Sequence, residues 1–324
     1  MKNKIRVSAP GKLMLFGEHA VVYGKSCLVT AVNQRMKVTV EIAEGKRIIE
    51  LLAPEVGLKS FKASISTSLD KLPKGARFVF AAVKNFNCKY QITSGLRIKT
   101  SSDFSSEFGF GSSSSVTVCI VKALSVIFDI DLDNKELFDI CYKSVLDIQG
   151  VGSGFDIAAA IWGGTLYFVG GGKKIVRVSK KELPLVVGYT GIKADTASLV
   201  KKVAFLKKSK PRIVGSIFRT IDFIVGDARR LIVNGNFEGL GELANINQGL
   251  LDSLGVNTTK LSDLIFAAKY AGAYGAKLSG AGGGDCMIAI VPEKKRGCVE
   301  KAIKKVGGKV ISVKNGAEGV RIEK

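Results

Sequence analysis

The stretch Phe108-Gly109-Phe110-Gly111-Ser112-Ser113-Ser114-Ser115 decides how this chain folds and what it can bind. An apolar run at helical spacing follows it directly, so we expect a helix over Ser113 to Phe128. Glycines allow a left-handed backbone and close approach to a ligand, and serine is favoured at helix N-caps. The first N–H groups of a helix lack internal partners and lie at the positive end of its dipole, which suits phosphate. The stretch therefore predicts either a phosphate-binding loop or a turn that merely caps a helix.

The composition of the 324 residues fits one large globular domain or two ordinary ones. Hydrophobic residues make up 46% of the chain, which is enough to build cores and argues against disorder. No stretch approaches the roughly 18 apolar residues of a membrane span, and early charges interrupt any signal-peptide core. The six cysteines show no C-x-x-C spacing and there is one histidine, which argues against a zinc site. We expect a cytoplasmic protein with buried, reduced cysteines and no membrane partner.

The net charge of +21, from 49 basic and 28 acidic residues, indicates anionic partners. The basic residues are densest over 193–212, where apolar residues recur at helical spacing. That pattern predicts an amphipathic helix with a solvated basic face. No RNA-binding aromatic motif or zinc finger accompanies it, so we expect no nucleic acid partner. Small anionic molecules are the expected partners.

The remaining sequence predicts both strands and helices, with a domain boundary between residues 170 and 184 that gives domains 1–180 and 181–324. The period-2 alternation of Met36–Ile42 predicts a half-buried strand. Asp133 predicts the N-cap of a helix that ends at Asp147. After a strand at 185–189, the pattern predicts helices over 196–208, 211–233, 237–254 and 259–274, then a strand, a helix and two strands over 286–291, 294–305, 310–313 and 320–322.

Further candidate functional residues lie in three other segments. In 10–24, Lys12 begins an apolar strand and Glu18-His19 follow its end. In 149–160, Asp156 lies in the first turn of a helix that a glycine loop opens, where an acidic residue is also an ordinary cap. The third segment, 278–285, is another glycine cluster. On the residues alone, Lys12 is equally a surface lysine and His19 equally a buried polar residue.

In this order and spacing, the glycine segments resemble the GHMP small-molecule kinases, named for galactose, homoserine, mevalonate and phosphomevalonate. The resemblance covers essentially the whole chain. It implies an α+β two-domain fold, with an N-terminal ribosomal-protein-S5-like domain and a C-terminal ferredoxin-like domain. Glu18-His19 and 245–256 are similar to the mevalonate kinases. Gln149–Asp156 and Asp285 look more like the phosphomevalonate kinases.

The resemblance implies phosphorylation of mevalonate to 5-phosphomevalonate in isoprenoid biosynthesis, with ATP and Mg²⁺ as cofactors. Phosphomevalonate kinase is the nearest alternative, and a nucleic-acid-binding protein that reuses the fold is a more remote one. The implied catalytic residues are Asp156, which takes or orients the hydroxyl proton, and Lys12, which pairs with Asp156. The implied substrate contacts are Glu18, His19 and Thr196. The implied ATP contacts are Glu107, Phe108, Gly109, Phe110, Gly111, Ser112, Ser113, Ser114, Gly282 and Gly283, and the implied metal ligands are Ser113 and Asp147.

This sequence departs from the family pattern at several positions. Ser105 and Glu107 replace a proline and a glycine, and Phe110 replaces a leucine. The Glu107 carboxylate would repel a triphosphate, so we expect it to point outward or to pair with a lysine. Val145 occupies the position of the family's metal-binding glutamate, and Asp147 is the nearest carboxylate. The oligomeric state stays open, with a homodimer as one option.

Overall fold

The chain is organised around two β-sheets in the computed structural model, which describes residues 3–44 and 47–323. The first part of the chain contains β1 (Lys4–Phe16), β2 (Ser26–Ala43), β3 (Ile48–Ala53), β4 (Leu58–Ser64), α1 (Arg77–Tyr90), β5 (Gly95–Ser102), α2 (Ser112–Ile127), α3 (Asn134–Gln149), α4 (Phe155–Trp162), β6 (Thr165–Val169) and β7 (Lys174–Ser179). The second part contains β8 (Leu185–Tyr189), α5 (Thr196–Ser209), α6 (Pro211–Asn234), α7 (Phe237–Ser253), α8 (Thr259–Tyr270), β9 (Gly275–Ser279), β10 (Cys286–Ile290), α9 (Arg296–Lys305), β11 (Lys309–Ile311) and β12 (Arg321–Glu323).

In the described part of the chain the larger sheet has eight strands, with the order β12-β1-β2-β5-β3-β4; β6 pairs with β2, and β7 pairs with β6. The long antiparallel pair of β1 and β2 forms its centre, and Val7 lies opposite Val38. Side chains alternate between buried and partly exposed over Met36–Val40, as the period-2 pattern predicts. Helices α2 and α4 pack on β1 and β2, which brings the N-termini of both helices close to Lys12 on β1.

The smaller sheet has the antiparallel order β11-β8-β10-β9. Helices α7, α8 and α9 pack against it, because their apolar faces complete its core. The last strand, β12, leaves this half of the molecule and pairs with β1, where Val7 lies opposite Ile322. The domain boundary at residue 180 stays a prediction, and β12 crosses it.

A buried cluster joins the two sheets to each other. It combines Leu13 of β1 with Val187 of β8 and Ile288 of β10, and it includes Phe110 from the glycine loop. Phe110 is 2% exposed, because its ring lies among the rings of Phe104 and Phe108. The loop that begins α2 is therefore anchored where the two sheets meet.

Most predicted elements are present, with shifted ends. The Asp133 side chain caps α3 by accepting a hydrogen bond from the Glu136 N–H, as predicted. Helix α8 ends at Tyr270 rather than 274, because Gly272 takes a left-handed φ of 102°. Four of the six cysteines are buried, but Cys88 and Cys298 are exposed, so the expectation of buried thiols is wrong for those two. No helix within the described residues combines the length and apolarity needed to cross a bilayer.

Candidate active site

A cleft of about 780 Å³ is lined by half of the predicted site residues. One part of its wall is apolar and comes from β2, β3, the turn after β3, α1 and α2, with Met36, Ala53, Val56, Phe78 and Val116. The other part is polar and comes from loops and helix N-termini, with Lys12, His19, Ser112, Ser113, Asp156, Lys193, Thr196 and Asp285. Such a cleft suits a ligand with a flat apolar ring at one end and charged groups at the other.

The glycine loop leaves the N-terminus of α2 open to the cleft. Gly109 and Gly111 take left-handed φ values of 68° and 78°, and Gly111 is the N-cap of α2. No side chain caps this helix in the described structure, so the predicted serine cap is wrong. Because the first N–H groups of a helix have no internal partners, those of α2 are available to an anion in the cleft.

The four serines of the loop have different surroundings. Ser112 and Ser113 line the cleft and are half-buried. Ser114 is 1% exposed, and its hydroxyl donates to Asp156 Oδ2 at 2.7 Å. Ser115 is also buried and donates to the Pro10 carbonyl at 2.8 Å, which ties α2 to β1. The Ser114 hydroxyl, predicted as an ATP contact, therefore points at the candidate base.

Asp156 is half-buried in the first turn of α4, which begins after Gly154 in a left-handed conformation with φ 87°. One carboxylate oxygen accepts from Ser114, and Oδ1 accepts from the Ile157 N–H at 3.2 Å. Asp156 does not cap α4, because the N-cap position belongs to Gly154 and no side-chain cap bond is present. The fold thus holds a carboxylate beside the N-termini of two helices.

Lys12 lies beside Asp156 but does not form an ion pair with it. A Cβ atom placed on Gly111 would lie 3.2 Å from Lys12 Cε and 3.5 Å from Asp156 Cβ, so both side chains flank this glycine. Lys12 Nζ donates instead to the Gly109 carbonyl at 2.7 Å, and its backbone N–H donates to Phe110 at 2.9 Å. No Lys12–Asp156 pair within 4.0 Å occurs in the described part of the chain. The geometry therefore does not support the predicted direct pair of Lys12 with Asp156, and Lys12 is held against the glycine loop instead.

The two residues predicted to contact substrate after β1 lie in different surroundings. His19 lines the cleft, is 6% exposed, and donates through Nε2 to the Ala281 carbonyl at 2.9 Å. Burial lowers the pKa of His19 below its ordinary value, although the hydrogen bond to Ala281 opposes this. Glu18 is completely buried and forms an ion pair with Lys277. Its placement does not support the prediction of direct substrate contact.

Thr196 lies where the sequence predicts it, at the first position of α5, and its exposed side chain borders the cleft. The N-cap of α5 is Asp195, whose carboxylate accepts from the Ser198 N–H. Helix α5 carries the predicted basic face, and Val203 is its only buried residue. Lys193, just before this helix, adds a cation to the cleft wall.

The third glycine cluster lines the cleft, but not through Gly282 and Gly283, the two residues that were predicted to contact ATP. Ser279, Gly280 and Ala281 line the cleft. Gly282 and Gly283 do not, because they pack against Val256 and Leu199, and the Gly283 N–H donates to the Val256 carbonyl at 2.8 Å. The prediction of these two glycines as ATP contacts is not supported by their placement, and they hold the cluster to its neighbours.

Asp147 does not reach the cleft. Val145 and Gln149, one helical turn apart on α3, line the cleft, while Asp147 is exposed and accepts from Asn85 Nδ2 at 2.7 Å. Successive helical residues are 100° apart, so a residue two positions from Val145 lies on the opposite face. The placement of Asp147 therefore does not support the prediction that it binds the metal ion. No cluster of three metal-ligating side chains exists among the residues that the structure describes.

Three further predicted ATP contacts stand outside the cleft wall. Phe108 and Phe110 belong to the aromatic cluster between the sheets, and the Phe108 carbonyl accepts from Cys286 Sγ at 3.3 Å. Glu107 is exposed, as the outward-pointing option requires. The backbone of these residues shapes the loop, but their side chains do not line the cleft.

Asp285 lines the cleft, and the sequence assigned it no role. Its Oδ1 accepts from the Ala194 N–H at 2.8 Å, and a Cβ atom on Gly109 would lie 2.7 Å from its Oδ2. Burial raises the pKa of Asp285, while the Ala194 hydrogen bond and the charges of Lys12 and Lys193 oppose that rise. Two signals in the sequence pointed to it: its position directly after the third glycine cluster, and its resemblance to the phosphomevalonate kinases.

Comparisons with known proteins give the following matches. The family model described as GHMP kinases N terminal domain matches residues 77–164, and the one described as GHMP kinases C terminal matches 228–309. A mevalonate kinase from Thermococcus sibiricus is 38% identical over 99% of this chain and 98% of its own length. One from Pyrococcus abyssi is 36% identical over 100% and 99%.

Solved structures agree with these matches. The Methanococcus jannaschii mevalonate kinase is 26% identical, with a TM-score of 0.81 and 98% of each chain covered. A phosphomevalonate kinase from Streptococcus pneumoniae is 20% identical with a TM-score of 0.77, covering 96% of this chain and 99% of its own, which is a likeness of fold alone.

Proposed function

The chain belongs to the GHMP kinase family, and we propose that it transfers the γ-phosphoryl group of ATP to the 5-hydroxyl of mevalonate. The family and its two-domain α+β fold, predicted from the three glycine segments, are confirmed by these matches. The observation that carries the mechanism is the 2.7 Å hydrogen bond from Ser114 to Asp156. It joins the candidate base to the helix that would bind the phosphates.

The nucleotide would lie along the cleft with its base in the apolar part and its phosphates at α2. The free N–H groups at the start of α2 and the helix dipole would stabilise the negative charge. Gly109 and Gly111 take left-handed conformations, and the absence of a Cβ at these positions lets Asp285 and Lys12 lie directly against the loop that would hold the phosphates. Phosphoryl transfer depends mainly on such positioning and charge stabilisation.

Asp156 would accept the proton of the attacking hydroxyl through its carboxylate, in which each oxygen accepts one hydrogen bond within the protein, Oδ2 from Ser114 and Oδ1 from the Ile157 N–H, and keeps a lone pair for the substrate. A positioned base of this kind contributes about 10²–10⁴-fold to a rate. Lys12, fixed 2.7 Å from the Gly109 carbonyl, would place its positive charge at the junction of loop and base. There it would stabilise charge on the attacking oxygen or on the transferred group.

Mg²⁺ fits the donor atoms that remain after Asp147 is excluded. Ser113 presents a hydroxyl at the start of α2, and Mg²⁺ characteristically binds few protein ligands together with phosphates and water. Ser113 would therefore hold the ion with the nucleotide. When bound, the ion would neutralise charge on the phosphates.

The substrate would lie between Asp156 and the residues His19 and Thr196. His19 is fixed by its hydrogen bond to Ala281, and Thr196 is exposed at the start of α5. Mevalonate is an anion, and Lys193 on the same wall complements its charge. A location in the cytoplasm and assembly into a homodimer stay predictions.

The test is ATP consumption measured side by side with mevalonate and with phosphomevalonate, in the wild-type protein and in Asp156→Asn. We expect turnover of mevalonate, and a loss of about 10²–10⁴-fold in kcat for the variant. Turnover of phosphomevalonate but not of mevalonate would refute the proposal and would identify the protein as a phosphomevalonate kinase. Retention of RNA with no turnover of either alcohol would favour the nucleic-acid alternative, and such binding should weaken steeply with salt.

A further inference from the structure

An ion pair lies behind the cleft and takes no part in the chemistry described above. Glu18 and Lys277 are both 0% exposed. Lys277 Nζ donates to Glu18 Oε1 and to the Leu278 carbonyl, the latter at 2.6 Å. The other oxygen of Glu18 accepts from Asn247 Nδ2 on α7 at 3.3 Å. Neither charged residue lines the cleft.

Stability alone does not explain such a pair. Burial raises the pKa of Glu18 and lowers that of Lys277, and each partner's charge opposes the effect on the other. Because two charges have been removed from water, a buried pair is often no more stabilising than well-packed apolar side chains of similar volume. What the pair does provide is a fixed distance and direction between two parts of the fold.

The two parts that it joins are the turn after β1 and the strand β9 with the glycine cluster that follows. Two further hydrogen bonds also connect β1 and the turn after it to β9 and the glycine cluster. Ser279 Oγ donates to the Met14 carbonyl at 2.8 Å, and His19 Nε2 donates to the Ala281 carbonyl at 2.9 Å. The pair is therefore one of three contacts that connect these segments, and the contact nearest the cleft is made by His19.

The backbone of His19 needs such support. Its φ of 60° and ψ of −46° lie outside the regions that non-glycine residues ordinarily occupy, and such a conformation persists only where its surroundings impose it. On the preceding side, a Cβ atom on Gly17 would lie 2.5 Å from Cys27 Cβ, so the chain has no room to shift there. Glu18, which lies between Gly17 and His19, anchors this turn directly through its buried side chain.

We propose that Glu18 and Lys277 are positioning residues, which hold the Gly17–His19 turn against β9 so that the His19 imidazole stands in the substrate part of the cleft. The role of His19 toward substrate rests on the proposed function, whereas the positioning of its ring does not. Loss of the pair should release the imidazole from Ala281 and let it rotate into water. The cleft would then lose a preorganised contact, although the nucleotide loop would be unchanged.

The histidine itself is the reporter, because the chain contains only one. The titration of its ring is followed by NMR in ¹⁵N-histidine-labelled wild type and in the double variant Glu18→Gln/Lys277→Met. The double variant removes both charges and avoids the unpaired buried charge that Lys277→Met alone would leave. The control is Lys135→Met, which breaks an exposed ion pair on α3.

We expect the wild-type and control histidine to resist protonation, with a pKa below the ordinary value, and the double variant to titrate closer to that value. Thermal unfolding checks that the double variant is folded. A folded double variant with the wild-type histidine titration would overturn the proposal.

Kinetics supply the second readout. In the double variant, kcat/KM for mevalonate should fall by about 10-fold to 100-fold, the scale of a misplaced substrate contact. The KM for ATP should stay close to that of wild type, because α2 and its loop are untouched. Unchanged kinetics for both substrates would also contradict the proposal. If wild type shows no turnover of mevalonate, the proposed function fails, and the histidine titration still decides whether the pair positions His19.

Discussion

Replacing Ser114 with alanine separates two roles for the serines of the glycine loop. The family pattern makes Ser114 an ATP contact, whereas the structure directs its hydroxyl to Asp156 Oδ2 at 2.7 Å and leaves the side chain 1% exposed. In Ser114→Ala the carboxylate of Asp156 loses its only side-chain donor among the described residues. Its orientation then depends on the weaker 3.2 Å contact with the Ile157 N–H.

The size of the effect follows from the type of hydrogen bond. A bond to a charged group contributes about 1.5–3 kcal/mol. Since about 1.4 kcal/mol corresponds to a tenfold change in rate, kcat should fall by about 10-fold to 150-fold. The KM for ATP should change little, because the backbone N–H of residue 114 remains. The free energy of unfolding should fall by about 1–2 kcal/mol, because the half-buried Asp156 carboxylate loses its side-chain donor.

The assay is steady-state phosphorylation of mevalonate at varied ATP, with urea unfolding measured in parallel. The double variant Ser114→Ala/Asp156→Asn tests the connection, because a residue that acts only through Asp156 adds no further loss once that carboxylate is gone. Ser113→Ala is the matched control and should raise the Mg²⁺ or ATP requirement instead. A Ser114→Ala variant with normal kcat and a raised KM for ATP would refute this reasoning.

Three further predictions concern the metal, the loop and pH. Asp147→Asn should leave both kcat and the Mg²⁺ dependence of the rate close to wild type, because Asp147 contacts Asn85 outside the cleft. A clear shift in the Mg²⁺ concentration that the variant needs would show instead that Asp147 binds the metal ion. Gly109→Ala should raise the KM for ATP and lower the free energy of unfolding by at least about 1–2 kcal/mol, because alanine must adopt φ 68° with its Cβ 2.7 Å from Asp285 Oδ2. Unfolding by urea at several pH values tests His19, whose pKa is lower in the folded protein than in the unfolded chain. The unfolded state therefore binds more protons below its own pKa of about 6.5, so stability should be full above that pH and fall below it by at most about 1.4 kcal/mol per pH unit. A His19→Gln variant should lack this component, and an unchanged pH dependence in that variant would exclude His19 as its source.

The sequence alone identified the family, by resemblance, and the class of fold, both of which the comparisons confirm. Glycines that must take a left-handed conformation, a helix that follows them and an acidic residue in the first turn of another helix are local features. Their physical causes act over a few residues, so they can be read from spacing. Gly109, Gly111 and Asp156 accordingly lie on the cleft or at its edge, as the pattern indicated.

The direction of each side chain was decided only by the tertiary structure. Helical periodicity separates Asp147 from Val145, but only the packing of α3 decides that Val145 faces the cleft and that Asp147 faces Asn85. Glu18 and His19 are neighbours in sequence, yet one is buried against Lys277 and the other faces the cleft. Glu18 binds Lys277, which lies 259 residues further along the chain, and His19 binds Ala281, which lies 262 residues further along. Local pattern carries no information about which distant groups will meet a side chain, because that depends on how the two sheets pack.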